Sequence, residues 1–92
     1  MELLEVLDEA VAVLKAPLGK DDREQGWTDE LRREVQEEIS VRRSVLRRHG
    51  PGVMRRLRPR FDEWLEHEGV RPGRLQRLVS DVQRRLVDVP TT

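Results

Sequence analysis

Apolar residues along this chain recur every three or four positions, the period of a helix that buries one face. Over residues 2–16, Leu3, Leu7, Val11 and Leu14 fall on one side and Leu4 and Val6 widen it, while Glu2, Glu5, Asp8 and Glu9 sit largely opposite. The acids crowd the beginning and Lys15 stands near the end, the order the helix dipole favours. Pro17 and Gly19 stop this helix. Residues 17–27 form a polar connection, long for a helical bundle, and are expected to be either a functional loop or a mobile one. Thr28 is placed as the N-cap of a second helix over 28–49, with Asp29 and Glu30 in its first turn and Gly50-Pro51 as its stop. Its stripe is narrow: Leu31, Val35, Ile39 and Leu46, with Val45 beside it and Arg42 on it.

A third helix is expected over 52–68, carrying Val53, Met54, Leu57, Phe61, Trp64 and Leu65. Helical phase survives across Pro59, but proline in a helix interior costs about 3 kcal/mol or more. This element therefore kinks there, or breaks and restarts with Pro59 at its first position, the option that suits proline better. Gly69 closes it. The last helix is expected over 72–88 on Leu75, Leu78, Val79, Val82 and Leu86, with Arg77–Asp81 and Asp81–Arg85 spaced as i,i+4 pairs, and the tail 89–92 frays. No stretch alternates with period two, and no Asn-Gly or Asp-Gly turn joins two apolar runs. The pattern predicts an all-α fold, a small four-helix bundle-like single domain with its third helix broken or kinked near Pro59.

At 92 residues a chain buries a small core, so binding a partner or a second copy would add needed stability. The absence of cysteine removes a disulfide scaffold, thiolate metal sites and a Cys nucleophile. The longest apolar run, Ala10 to Leu14, falls far short of the ~20 residues that span a bilayer. Met1-Glu2-Leu3-Leu4-Glu5 lacks the basic start of a signal peptide. A soluble, cytoplasmic protein with no membrane partner is the expectation.

Charge changes the picture most. The formal net charge is zero, yet residues 1–40 hold 12 acidic and 5 basic side chains, and residues 41–92 hold 6 acidic and 13 basic. The sharpest cluster is Arg42, Arg43, Arg47, Arg48, Arg55, Arg56, Arg58 and Arg60, with no acidic residue among them. Such a cluster suits a nucleic-acid backbone, because several phosphates need several cations and a guanidinium can bind one bidentately. Three other arrangements account for the same charges. The second helix runs from acidic to basic as its own dipole favours. The acidic first helix could lie against the basic region of the same chain. Two copies could pair antiparallel along residues 28–49, each acidic half beside the other's basic half. A balanced charge and a pI near 6.7 weigh against nucleic acid, whose binders usually carry a clearly basic domain.

Candidate chemistry is sparse. Glu63 and His67 share a helix face, flanked by Glu66 and Glu68, which suits a solvated pair better than a metal site. There is no Walker motif, Gly-x-Ser-x-Gly or His-Glu-x-x-His, and no serine is given a base by its spacing. No catalytic residue, metal ligand or cofactor is assigned. Trp27, in a polar stretch ahead of the long helix, either packs on Leu31 or stands out as an anchor for a partner. Arg42 on the apolar stripe either snorkels along the core edge or meets a carboxylate across a helix–helix contact, and Glu38 one turn back can supply a partner within the chain. The expected function is a non-enzymatic adaptor or assembly subunit that docks another protein or itself. Its surface would be the long helix and the Arg-rich segment 42–60, with Trp27 and Arg42 as anchors. The alternative is an accessory subunit that grips a nucleic-acid backbone with the same arginines.

Overall fold

The structure, a computed structural model, describes residues 2–50 and 60–87. Five helices occur among them: α1 (Leu3–Lys15), α2 (Lys20–Glu24), α3 (Asp29–His49), α4 (Phe61–His67) and α5 (Arg74–Val87). The fold is all-α, with no strand among the described residues. The expected bend at Pro59, the apolar positions Val53, Met54 and Leu57, and the frayed tail lie outside them.

Thr28 caps α3 as its chemistry predicts: its Oγ1 accepts the Leu31 N–H at 3.1 Å. Gly50 ends the helix with φ +79°, and its N–H reaches the Leu46 carbonyl at 2.9 Å. On α1 the buried face is Val6, Leu7, Ala10 and Leu14, whereas Val11 is only partly covered. It is thus turned from the predicted stripe toward Ala10, whose single methyl lets the neighbouring helix come close. Trp27 just ahead of α3, Leu31, Val35 and Ile39 of α3, Phe61 and Leu65 of α4, Val70, and Leu75, Val79, Val82 and Leu86 of α5 complete the core.

α1 packs against α3 and α5, and α5 also receives α4. α1 and α3 run antiparallel, tied at the C-terminal end of α1 and again near its middle. Arg32 Nη1 donates to the carbonyls of Lys15 and Ala16 at 3.1 and 2.7 Å, and Arg43 pairs with Asp8. α4 is tied to α5 by an exchange at Asp62, whose N–H donates to Gln83 Oε1 at 2.8 Å while its carboxylate accepts from Gln83 Nε2 at 2.8 Å.

The connection 17–27 is neither extended nor loose. It holds α2, then a turn with Gly26 at φ +106°. Asp22, only 3% exposed, accepts the Gly19 N–H at 2.9 Å and Arg74 Nη2 at 2.8 Å. The Arg71 N–H donates to the Gln25 carbonyl at 2.7 Å. Gly26 lies so near Gly69 that a Cβ on it would sit 2.6 Å from the Gly69 carbonyl oxygen. The polar stretch is therefore a folded clasp on the turn before α5. In α5 itself, Asp81 pairs with Arg84 and, at 3.3 Å, with Arg85. The expected Arg77–Asp81 pair is not formed: Arg77 Nε turns back to the Gly73 carbonyl at 3.2 Å. The pair that forms has its acid N-terminal to its base, the order the helix dipole favours.

Candidate docking surface

α3 is the scaffold of the predicted surface, and its geometry divides the arginine cluster. Arg42 lies beside the core with its side chain 18% exposed, and its Nη2 meets Glu38 Oε2 at 3.3 Å. This is the intrahelical partner the spacing offers. Its Nε is buried without an acceptor among the described residues. Arg42 and Glu38 share a shallow groove with Arg60, Phe61 and Trp64. Phe61 closes the floor and Trp64 is half-buried on the rim, the two rings tilted with centroids 6.3 Å apart.

Arg43 points the other way, to Asp8 on α1. Arg60 stands 77% exposed and meets Glu63 at 3.5 Å. Arg47 and Arg48 are exposed, with no carboxylate among the described residues in ion-pair reach. Arg55, Arg56 and Arg58 lie outside the described residues. The contiguous patch suggested by the sequence is thus dispersed among its described members: Arg42, Arg43 and Arg60 have carboxylate partners within the chain, and Arg47 and Arg48 face outward.

Trp27 does not serve as an exposed anchor. It is 2% exposed, one of the largest fully buried side chains, because the α2 turn folds back and carries the indole into the core. Packing at the start of α3, the other option open to it, accounts for its place.

One residue the sequence reasoning passed over is Val41, the one large apolar side chain exposed among the described residues, at 51%. It sits on the outer side of α3 in a shallow concavity with Ser40, Ser44, Val45, Arg48 and His49. The signal was present: two residues beyond Ile39 on a helix is nearly the opposite side, so an apolar residue there has no core to enter. The same outer face carries Glu30, Glu34 and Glu37, all exposed, toward the N-terminal end.

Two carboxylates have pKa values displaced from the usual range. Burial pushes Asp22 up, but the Gly19 N–H and the Arg74 guanidinium outweigh it and leave the group below its ordinary 3.8. Burial likewise raises Asp81, and Arg84 and Arg85 bring it down past that value. Both pairs fasten the chain to itself rather than facing a cleft. Among the described residues, no three His, Asp or Glu side chains converge as metal ligands would. No described helix is long and apolar enough to cross a membrane. No protein-family model, curated protein or solved structure matches this chain.

Proposed function

We propose that this chain is a non-enzymatic helical interaction protein, an adaptor or assembly subunit, that docks a protein partner or a second copy of itself through α3 and the Arg-rich segment 42–60. The observation that carries the reading is the outer face of α3. There an exposed valine lies beside Arg48, and Arg47 and Arg48 have no carboxylate partner among the described residues. An apolar contact flanked by cations is a protein-docking chemistry, because the valine offers nothing to a phosphate chain. The reading includes a bundle-like arrangement broken near Pro59 and a cytoplasmic location.

The alternative, a subunit that grips a nucleic-acid backbone, loses cations to Glu38, Asp8 and Glu63. Affinity purification with the wild-type chain and with Arg47, Arg48, Arg55 and Arg56 replaced by Gln tests the docking reading. Capture of a protein partner by the first and its loss from the second is expected, and undiminished capture overturns the reading. Binding of a labelled oligonucleotide that collapses steeply with salt would install the alternative in its place.

A further inference from the structure

We propose that two copies of this chain pair antiparallel along the outer face of α3, with Val41 at the two-fold axis and Arg48 of each copy against Glu34 of the other. This rests on the docking reading above and names its partner.

The spacing supplies the first argument. Glu34, Glu37, Val41, Ser44 and Arg48 follow one another at alternating steps of three and four, so they form one seam along the helix, and all five are exposed. A two-fold through Val41 carries position 34 onto position 48. Charge supplies the second. The seam is acidic on one side of Val41 and basic on the other, so parallel pairing sets Glu34 against Glu34 and Arg48 against Arg48. Antiparallel pairing sets each against its opposite, twice. A foreign partner would have to carry the complementary pattern, whereas this chain carries both halves.

The third argument is that the seam is not already used. Neither Glu34 nor Arg48 has an ion-pair partner among the described residues. Val41 is exposed, and Ser44 beside it is small enough for two helices to approach. From Glu34 to Arg48 the seam is about 21 Å long, a short contact, so the dimer should be weak and its population should depend on concentration.

Sedimentation equilibrium from about 10 μM to 1 mM measures that association. The chain has no native cysteine, so Val41→Cys places a single thiol at the axis. Mild oxidation should link two such chains, while Glu30→Cys, whose copies would lie on the order of 30 Å apart, should stay unlinked. Arg48→Glu or Glu34→Arg alone should raise the dimer Kd about tenfold or more, and the double exchange should bring it back within about threefold. Circular dichroism on each variant checks that the helices persist. A monomer at every concentration, equal linking at positions 30 and 41, or a reversal that the double exchange fails to rescue overturns the inference. If the monomer still captures a foreign protein through Arg47 and Arg48, only the second copy is overturned; if that capture is lost as well, the docking reading falls with it.

Discussion

Thr28 and Asp22 each satisfy a backbone N–H with a side-chain oxygen, and their stability contributions separate by pH. Thr28→Ala removes the α3 cap and should cost about 1 kcal/mol at any pH, read from urea denaturation. Asp22 is ionised where its contacts count. Its folded-state pKa lies below the ordinary 3.8, so across the acid window the unfolded chain binds more protons. The contribution of Asp22 is therefore complete above that ordinary value and fades as the pH falls through it toward the lower folded one. Asp22→Asn should be less stable near pH 7 and should lose less stability than wild type on going to about pH 3. Asp81, depressed in the same sense, leaves some acid sensitivity in the variant. Arg74, the partner of Asp22, is largely exposed, and an Asn Oδ1 can still accept the Gly19 N–H, so the loss near pH 7 should be modest.

Among the elements, α1 ends on a side chain from another helix. Arg32 supplies donors to the carbonyls of Lys15 and Ala16, because the Gly19 N–H that would reach Lys15 in a continued helix donates to Asp22 instead. Arg32→Leu keeps an apolar stem but leaves the Lys15 and Ala16 carbonyls without this donor; it should cost about 1–2 kcal/mol, measured by thermal unfolding. Here the limit of the sequence is physical. The capping of α3 was legible because Thr28 and Leu31 are three residues apart, and the stripe of α5 because it repeats within one helix. Arg32 reads as another surface charge until α1 is laid antiparallel beside α3. The α2 clasp escaped notice for a related reason. Residues 17–27 have little apolar periodicity, and their fold is fixed by Asp22, Gly26 and a turn far along the chain. Val41 could have been found from its phase against Ile39, two residues away and nearly opposite on the helix.

For the molecule as a whole, the opposed charges of the two halves are in part folded onto each other. Asp8 on the acidic helix meets Arg43 on the basic half of α3, and the antiparallel packing of those helices makes the meeting possible. Asp8 is exposed and Arg43 about a third exposed, so a double-mutant cycle with Asp8→Asn and Arg43→Gln should give a coupling of about 0.2–1 kcal/mol at low salt that shrinks at about 1 M. That accounts for part of the charge pattern; the outer face of α3 is the part that the proposed docking would use. The approach of Gly26 to Gly69 has a different consequence, kinetic rather than energetic. It buckles two distant turns together at the backbone, so neither half should loosen without the other. The Arg71 amide, bonded across that buckle, is its reporter. In hydrogen–deuterium exchange it should open with the global unfolding of the core, while Gly26→Ala, which forces the turns apart, should let it exchange through a separate, faster local event.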